Sequence, residues 1–272
     1  MPEGPEIRRA ADQVAAVIKG KEVTELFFAF EHLKPFEQRL RGTTVVDVAT
    51  FGKAMLTRFS NGLNIYTHNQ LYGRWYCGKR GERPSWQRQL RLAITTQRHS
   101  ALLYSASDID VLKEDQVMTH PFLSKLGPDL LAAGTTQRLV MERLEEKRFR
   151  HRRLGGLLTD QSFVAGLGNY LRCEILFVCR LSPARRPADL DREAKERLAA
   201  SMLELPRQSY DTGGITNDPV RAREMMAAGA SFEAARFWVF RRENMPCYRC
   251  GTAILCTRQG GQVTYLCPRC QR

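Results

Sequence analysis

The hydrophobic positions near the start of the chain repeat with the spacing of one helical face. Successive apolar residues are four, three and four positions apart: Ile7, Ala11, Val14 and Ile18. Residues at these intervals lie on one side of an α-helix. Gly20 follows directly, and glycine is common just past the C-terminus of a helix. The pattern therefore predicts a leading helix over residues 6–19.

From residue 21 to about residue 113 the apolar residues form short runs separated by turn residues. Four runs show this most clearly: 55–59, 63–67, 90–94 and 101–104. Asn61-Gly62 separates the first two runs, and this dipeptide is typical of the tight turn in a β-hairpin. Many short strands with turns between them predict a β-sandwich or barrel.

The rest of the chain has helical composition, followed by a short basic segment. Residues 135–147 and 189–205 are helical in composition, and the second stretch starts with acidic residues, as helix N-termini often do. Residues 211–230 are rich in Gly, Asn, Asp and Ala, and we expect a mobile loop or linker there. The segment from residue 237 onward is rich in cysteine and arginine.

Composition and charge narrow the class of partner. The 272 residues include 42 Lys and Arg against 29 Asp and Glu, a formal net charge of +13. Such a surplus favours a polyanionic partner, either nucleic acid or a membrane surface. No run of about 18 apolar residues is present to span a bilayer, and the N-terminus has no apolar signal-peptide core. We therefore expect a cytoplasmic protein without a membrane partner, whose cysteines stay reduced.

Four cysteines near the C-terminus have the spacing of a zinc ribbon. Cys247 and Cys250 form one Cys-x2-Cys pair, and Cys267 and Cys270 form a second pair after sixteen intervening residues. Four thiolates fill all positions of a tetrahedral zinc site and leave none for water, so the sequence predicts one structural Zn²⁺. The other cysteines lack a partner at ligand spacing and are interpreted as ordinary small side chains: Cys77, Cys173, Cys179 and Cys256.

Many arginines surround this predicted ribbon. They are Arg236, Arg241, Arg242, Arg249, Arg258, Arg269 and Arg272. A solvated charged face is the alternative, but so many cations on a small stapled hairpin favour contact with phosphates.

The N-terminus offers a nucleophile. If Met1 is removed, Pro2 becomes a secondary amine, which forms a cationic iminium adduct with a carbonyl-type carbon. Glu3 is covalently adjacent and holds a carboxyl group near whatever carbon Pro2 attacks, so a nucleophile and a proton carrier stand side by side. On its own, Met-Pro-Glu is also an ordinary way for a chain to begin.

Three motifs together resemble one protein family. They are Pro2-Glu3-Gly4-Pro5-Glu6, the segment Ala165-Gly166-Leu167-Gly168-Asn169-Tyr170, and the four-cysteine ribbon. Their order and separation resemble the formamidopyrimidine-DNA glycosylase and endonuclease VIII family of base-excision repair enzymes, over essentially the whole chain. The segments 69–73, 105–109 and 119–123 are similar to the bacterial endonuclease VIII branch.

The resemblance implies an α+β fold of two domains. An N-terminal catalytic β-sandwich with a leading helix is expected over residues 1–127. A helical DNA-binding domain with a helix–two-turn–helix is expected over residues 128–236, and the zinc ribbon over residues 237–272. The order of helix, strands, helices and ribbon agrees with the hydrophobic pattern.

The same resemblance implies the catalytic residues. Pro2 matches the nucleophile that attacks C1′ of the damaged nucleotide, and Glu3 the carboxyl that transfers protons around the sugar. Lys53, within Phe51-Gly52-Lys53-Ala54, matches a lysine that contacts phosphate and assists elimination. Without the family, Lys53 would be interpreted as a surface lysine on a strand.

Further residues are candidates for DNA contacts. Gln70, Leu71 and Tyr72 follow a predicted strand and suit insertion into the space that an extruded base vacates, although a strand end with buried Leu71 and Tyr72 is equally compatible with the residues alone. Lys125 matches a basic position between the domains. Asn169 is predicted at a helix start whose free N–H groups bind phosphate, a geometry that a simple helix–helix connection shares.

One position departs from the family pattern. The ribbon of the family carries a phosphate-binding arginine a few residues before the third cysteine, and Gln262 stands there in this chain. Arg258 lies four residues earlier and is a candidate substitute. A neutral donor binds phosphate less strongly than a charged one, so we expect β-elimination, with δ-elimination less efficient. Gln262→Arg is expected to strengthen binding to abasic DNA or to raise the yield of δ-product.

The sequence thus predicts a bifunctional DNA glycosylase and abasic-site lyase that removes oxidised bases, with pyrimidines favoured by the endonuclease VIII-like segments. The expected partner is damaged double-stranded DNA, and the expected state is a monomer in the cytoplasm, associated with the nucleoid. A non-catalytic damaged-DNA-binding protein on the same scaffold is the alternative. A simple zinc-ribbon adaptor leaves the N-terminal motif unexplained.

Overall fold

The computed structural model describes residues 2–259 and 262–272. Met1, whose removal is expected, and Gly260-Gly261 lie outside these residues. The chain forms two compact units. The N-terminal unit contains Pro2 and residues 6–125, whereas the C-terminal unit contains residues 126–272 together with residues 3–5.

The leading helix is confirmed as α1, Gly4–Ile18. Its predicted apolar face is buried throughout: Ile7, Ala11, Val14 and Ile18. Gly20 has a φ of +74°, a backbone conformation that only glycine adopts without strain, and so ends the helix as expected.

The N-terminal unit consists of two four-stranded antiparallel sheets, so the predicted sandwich is confirmed. The sheet orders are β1-β6-β7-β5 and β2-β3-β4-β8. The strands are β1 Val23–Phe28, β2 Val45–Phe51, β3 Ala54–Phe59, β4 Leu63–His68, β5 Arg74–Lys79, β6 Leu90–Thr96, β7 His99–Tyr104 and β8 Asp108–Lys113. The short helices are α2 Pro35–Leu40 and α3 Glu114–Val117.

One hydrophobic core lies between these sheets and takes side chains from both, with α1 packed on it. Phe28, Leu92 and Leu103 come from one sheet, and Met55 and Ile65 from the other. Alternate residues of a strand point to opposite faces, which is why the short apolar runs can supply such a core.

Both predicted hairpins are present. β3 pairs with β4 around Gly62, whose φ is +79°, and β6 pairs with β7. The predicted apolar runs fall within these strands. They can be recognised from the sequence because turn glycines and β-branched or aromatic residues favour a turn or a strand at their own positions.

The C-terminal unit is helical. Its helices are α4 Gln137–Glu145, α5 Leu154–Leu157, α6 Asn169–Val178, α7 Arg192–Asp211, α8 Pro219–Ala227 and α9 Phe232–Ala235. Two turns join α5 to α6, closed by the N–H groups of Asp160 and Phe163 on the carbonyls of Leu157 and Asp160. The expected helix–two-turn–helix is therefore present. The core of this unit packs α4, α6 and α7 together.

Residues 211–230 are not a loop or linker as expected. α8 occupies much of this segment, and Asp218 caps its first turn by accepting hydrogen bonds from the N–H groups of Val220 and Arg221. Ala222 of α8 is buried with Ile215 and Ala235. Small and polar residues misled the sequence interpretation, because an Asp cap followed by proline starts a helix as readily as a turn.

The chain ends in a two-stranded antiparallel hairpin, β9 Leu255–Gln259 and β10 Gln262–Leu266. Among the helices that the structure describes, none is both long and apolar enough to cross a bilayer.

Removal of the Asp218 side chain tests whether the cap stabilises α8. Asp218→Ala leaves two N–H groups of the first turn without their acceptor and is expected to lower the free energy of unfolding by about 1 kcal/mol. Urea denaturation measures the change. Glu224→Ala, at an exposed position of the same helix, is the control and should alter stability by less than about 0.5 kcal/mol. Equal effects of the two substitutions would contradict the capping role.

Candidate functional site

The carboxylate of Glu3 sits on the N-terminus of α6. Its Oε2 accepts hydrogen bonds from the N–H groups of Gly168 at 2.7 Å and Leu171 at 3.3 Å, and its Oε1 accepts one from Tyr170 at 2.8 Å. Only 3% of Glu3 is exposed. The first N–H groups of a helix lack intrahelical partners and carry partial positive charge, so a buried anion is well stabilised there.

Two glycines allow this approach. A Cβ atom on Gly168 would lie 2.7 Å from Cγ of Glu3, so any side chain at this position would displace the carboxylate. Gly166 has a φ of +101°, and its carbonyl accepts a 2.8 Å hydrogen bond from the N–H of Gly4. The glycines of the 165–170 motif therefore hold the N-terminal residues of the chain.

One expectation about this helix start is wrong. The N–H groups beside Asn169 are not free for phosphate, since those of Gly168, Tyr170 and Leu171 bind Glu3. Asn169 does begin α6, and its side-chain oxygen accepts a hydrogen bond from Arg172. Its side-chain N–H₂ group is the donor that an outside ligand can use.

Pro2 is half-buried and directly precedes Glu3. Because the carboxylate is fixed by three backbone donors, the neighbouring backbone position is also restricted. The structure thus keeps the pair of groups predicted from the sequence within one peptide unit of each other.

Lys53 lies in the tight turn between β2 and β3 and is only 8% exposed. Its interpretation as a surface lysine is therefore wrong. A buried ammonium group is costly unless its surroundings compensate the charge, and such lysines are frequent at functional sites.

His68, at the end of β4, was not identified from the sequence. It pairs across the sheet with Ala54, the residue after Lys53, and with Asp108 of β8. Burial lowers the pKa of His68, and the charge of Lys53 acts in the same direction, whereas Asp108 opposes it. A neutral ring can accept a hydrogen bond, and its Nδ1 accepts one of 3.1 Å from the N–H of Gln70.

The segment that follows His68 forms an exposed tip, residues 70–72. Leu71 is 57% exposed and Tyr72 68% exposed, so the alternative of a buried strand end is wrong. Ser107 donates a 2.6 Å hydrogen bond to the side-chain oxygen of Gln70, so the N–H₂ group of that amide takes no part in this contact. The tip is closed by a 2.7 Å bond from the N–H of Gly73 to the carbonyl of Asn69. Two apolar or aromatic side chains are thus held in solvent by a rigid turn.

Lys125 is the last residue of the N-terminal unit and of a short 3-10 turn, Leu123–Lys125, and it is exposed. Its position is compatible with contact to an anionic partner.

Arg172 is the most deeply buried cation of the C-terminal unit and was missed by the sequence analysis. Only 1% of it is exposed. Its guanidinium group donates to five oxygens: Gly155 O at 2.9 Å, Val263 O at 3.0 Å, Thr264 Oγ1 at 2.9 Å, Gln262 Oε1 at 3.1 Å and Asn169 Oδ1. One feature of the sequence could have indicated a buried role for Arg172: it lies within the largely apolar stretch 170–178.

Gln262 is therefore not simply a neutral replacement for an arginine. Its side-chain oxygen is engaged by Arg172, so its N–H₂ group points elsewhere and is polarised by the neighbouring charge. Arg258 pairs with Val263, and residues adjacent along a strand face opposite sides, so Arg258 lies on the other face of the hairpin from Gln262. The idea that Arg258 replaces Gln262 does not fit this register.

Glu174, which belongs to α6 itself, is a second buried carboxylate, with 0% of the residue exposed. It accepts hydrogen bonds from the backbone N–H groups of Trp238, Val239 and Phe240 at 2.8–2.9 Å, and from the hydroxyl of Thr216 at 2.6 Å. Burial raises the pKa of Glu174, and the four hydrogen bonds act against that rise. This carboxylate anchors the segment that leads into the ribbon.

Some of the predicted phosphate-binding arginines have structural partners instead. Arg242 is 6% exposed and donates to the carbonyls of Trp238 and Pro246. Arg249 donates to the carbonyls of Phe177 and Val178 at the C-terminus of α6, and Arg236 to that of Gly214. Backbone acceptors leave no trace in the sequence, which is why a count of cations overestimated the binding surface. Five members of the set are exposed, including Arg249 despite its backbone partners: Arg241, Arg249, Arg258, Arg269 and Arg272.

The four predicted ligand cysteines form one cluster. Their sulfur atoms lie within 4.8 Å of one another, with 3.9 Å between Cys247 and Cys270 and 3.5 Å between Cys250 and Cys267. A tetrahedral zinc ion with bonds of about 2.3 Å requires sulfur atoms about 3.8 Å apart. The cluster therefore fits one structural Zn²⁺, held by Cys247, Cys250, Cys267 and Cys270 without an open coordination position.

Substitution of Glu3 tests how far the α6 contact stabilises the protein. Glu3→Gln places an N–H₂ group against backbone donors, and we expect the free energy of unfolding to fall by about 1–3 kcal/mol. Chemical denaturation of both proteins measures this. Glu31→Gln is the matched control, because the Glu31 side chain is 84% exposed and its ion pair with Lys34 is worth little. A stability loss no larger than that of the control would refute the anchoring role.

Known protein families match most of the chain, including Pro2, Glu3, Lys53, Asn169 and the four cysteines. The N-terminal domain of formamidopyrimidine-DNA glycosylase matches residues 1–107, and its H2TH domain matches residues 126–219. A zinc finger found in FPG and IleRS matches residues 246–272.

Full-length relatives give the same result. Endonuclease 8 of Escherichia coli strain K12 / DH10B is 49% identical over 271 residues, with 100% of each chain covered. Endonuclease 8 of Salmonella schwarzengrund is 48% identical over 272 residues, again with complete coverage.

Solved structures of similar fold come from Lactococcus lactis. A complex between its Fpg (MutM) protein and DNA containing N7-benzyl-Fapy-dG has a TM-score of 0.82 at 19% identity and covers 100% of both chains. A complex of the same enzyme with DNA containing an abasic site has a TM-score of 0.81 at 19% identity, with 99% of each chain covered. The family matches, the complete alignment with endonuclease 8 and this shared fold agree, and the chain therefore belongs to the formamidopyrimidine-DNA glycosylase family, as a DNA glycosylase and abasic-site lyase of base-excision repair.

Proposed function

We propose that Pro2 and Glu3 carry out the chemistry of this glycosylase and lyase on oxidised bases, with oxidised pyrimidines as the main substrates. The observation that carries the proposal is the buried Glu3 carboxylate, fixed on the N-terminus of α6 one residue after Pro2. A catalytic carboxyl must be held within a fraction of an ångström of its working position, and three backbone donors supply that restraint.

The proposed reaction begins with the nitrogen of Pro2, after loss of Met1. Its lone pair attacks C1′ of the damaged nucleotide, the bond to the base breaks, and the base leaves with a proton. The Glu3 carboxylate takes the proton that the Pro2 nitrogen loses and passes it to the ring oxygen as the sugar opens, which leaves a cationic iminium between Pro2 and C1′, while water supplies the proton of the departing base. The iminium acidifies the C2′ hydrogen, and loss of that proton expels the 3′ phosphate in β-elimination.

Lys53 supplies positive charge during these steps. Its burial in the β2–β3 turn supports the role, because an ammonium group in a partly dehydrated site interacts strongly with a phosphate. The neutral His68 beside it adds no competing positive charge.

Extrusion of the damaged base is assigned to the exposed tip. Leu71 and Tyr72 insert where the base was, and the N–H₂ group of Gln70 replaces one of its hydrogen-bond partners. The turn is held in place by Ser107 and His68 before any DNA arrives, so little conformational freedom is lost on insertion.

The remaining contacts bind the DNA backbone. Lys125 and the N–H₂ groups of Asn169 and Gln262 are the proposed phosphate donors, and the Gln262 group is strengthened by Arg172 behind it. The zinc ion makes no direct contribution to the chemistry and holds the hairpin that presents Gln262. We propose δ-elimination as a slower step that uses this neutral donor.

The cellular assignment is also a proposal. The protein is assigned to damaged double-stranded DNA in the cytoplasm and nucleoid, as a monomer. We also propose the domain division expected from the sequence. It consists of a catalytic domain of residues 1–127, a helical domain of residues 128–236 and a ribbon of residues 237–272.

Borohydride trapping tests the proline mechanism. Protein with a free Pro2 amine, incubated with an abasic or oxidised oligonucleotide and borohydride, is expected to give a covalent adduct, because reduction fixes the iminium. Protein that retains Met1 should give none, since its Pro2 nitrogen is an amide. Peptide mapping of the adduct should place DNA on residue 2. If correctly processed protein gives no adduct yet still binds damaged DNA, the chain is a binding protein and the enzymatic proposal fails.

The hairpin geometry makes a separate prediction about phosphate binding. Gln262→Ala removes the polarised donor and should weaken binding to abasic DNA about fivefold, equivalent to about 1 kcal/mol, and lower the yield of δ-product. Arg258→Ala, on the opposite face, should change the δ-to-β product ratio little. Fluorescence anisotropy and gel analysis of products measure both. A larger effect at Arg258 than at Gln262 would show that the substitute considered from the sequence is the true contact.

A further inference from the structure

β5 lies at one edge of its sheet, because within the described residues it pairs with β7 alone. Just after β5, the N–H of Arg80 donates to the carbonyl of Arg98, so the even-numbered residues of β5 are the ones that bond to β7. The residues between them direct their N–H and C=O groups away from β7, as in any antiparallel pair. Trp75 and Cys77 thus present four backbone groups to the outside, and these two residues are called the open edge below.

Both ends of the open edge are closed by the protein itself. On one side the N–H of Lys79 donates to Oε2 of Glu82 at 2.9 Å, and on the other the N–H of Gly73 donates to the carbonyl of Asn69 at 2.7 Å. No described residue makes a comparable bond to the open edge. An unpaired stretch of strand is a template for pairing with another chain.

The opposite edge of the same sheet is covered. It is formed by β1, against which α2 packs. The carboxylate of Glu37 in α2 accepts a 2.7 Å hydrogen bond from the N–H of Phe28, and the carbonyl of Thr43 accepts one of 2.8 Å from the N–H of Val23. Proteins usually cover or cap such edges, so the difference between the two sides sets the open edge apart.

A groove runs between β5 and α1. It has a volume of about 540 Å³ and is lined by Gln13, Ala16, Val17, Arg74, Trp75, Tyr76, Cys77 and Trp86. The rings of Tyr76 and Trp86 meet edge to face at 5.9 Å, and the guanidinium group of Arg74 lies 4.1 Å from the centre of the Trp86 ring. The open edge is therefore flanked by an aromatic surface and a fixed positive charge.

The charge around the groove selects for an acidic ligand. Residues 74–91 include six basic side chains and a single acidic one, Glu82. The carboxylate of Glu82 itself bonds to the backbone of β5, next to the open edge. One acidic group of the protein thus already makes the kind of contact that a ligand with carboxylates would extend along the strand.

We propose that the open edge binds an extended acidic peptide segment of another protein, which adds a fifth strand to this sheet beside β5. The backbone of the peptide pairs with Trp75 and Cys77, one of its carboxylates meets Arg74, and apolar side chains lie on the aromatic surface.

Two other occupants fit the edge less well. The phosphates of DNA offer acceptors only, which leaves the carbonyls of the open edge without donors. A second copy of the chain would bring two basic edges side by side, and like charges across adjacent strands repel.

Peptide binding to the full chain tests the proposal. The probe is a fluorescently labelled eight-residue peptide of alternating Glu and Val, and a Lys-Val peptide of the same length is its charge control. Fluorescence anisotropy should show the acidic peptide binding at least about tenfold more tightly, because several opposite charges meet. N-methylation of either alternate set of amides removes donors on one side of the peptide. One methylated peptide should lose about fivefold or more in affinity, the equivalent of one hydrogen bond, and the other little.

A matched pair of variants tests the edge itself. Cys77→Pro removes an N–H that points away from β7, so the sheet keeps its hydrogen bonds, whereas Cys77→Ala keeps this N–H. The proline variant should bind the acidic peptide about fivefold more weakly than the alanine variant. Arg74→Gln should weaken binding about twofold to fivefold, and Arg98→Gln, at an exposed position between β6 and β7, should change it little. Thermal melts verify folding, and the methylated peptides decide if the proline variant is unfolded.

Several results would overturn the inference. Absence of binding, equal binding of the Lys-Val peptide, or equal affinities of Cys77→Pro and Cys77→Ala would each exclude strand addition. If both methylated peptides bind as well as the parent, the contact does not involve the backbone. Displacement of the peptide by an equimolar amount of undamaged duplex would assign the edge to DNA. A dimer in sedimentation experiments that Cys77→Pro dissociates would assign it to a second copy.

Discussion

The carboxylate of Glu3 on the N-terminus of α6 is the contact on which the arrangement of the site depends. An ionised carboxyl buried to this degree is stable only when its oxygens are saturated with donors. The helix start provides them, and the absence of a side chain at Gly168 provides the room. The backbone of Pro2 is restricted as a consequence, since one peptide unit joins it to this anchor.

The same helix organises the rest of the C-terminal unit through charged groups along its length. Arg172 binds the hairpin of the ribbon, Glu174 binds the backbone before it, and Arg249 of the ribbon binds the last carbonyls of α6. Each of these charges has backbone or side-chain partners, so their burial is tolerated. The cysteine cluster is thereby fixed relative to the helix whose N-terminus binds the Glu3 carboxylate, within one compact unit.

Sequence patterns predicted the elements that are determined by residues close to one another along the chain. Periodic apolar residues predicted α1, Asn61-Gly62 predicted the β3–β4 hairpin, and cysteine spacing predicted the metal cluster. Residues whose partners are backbone atoms far away in the chain were missed. Arg172 binds carbonyls of residues 155 and 263, and nothing in the spacing of the sequence indicates this. The capped helix α8 was missed because its residue types favour turns and helix starts alike.

The contact between Glu3 and Gly168 also constrains the order of events during synthesis, because 165 residues separate the two partners. At about 5–20 residues per second, the ribosome exposes the first residues on the order of ten seconds or more before α6 exists. Throughout that interval the N-terminus has no docking place and stays accessible to the peptidases that remove an initiator methionine. The chain can therefore unmask its proline amine first and bury the adjacent carboxylate afterwards.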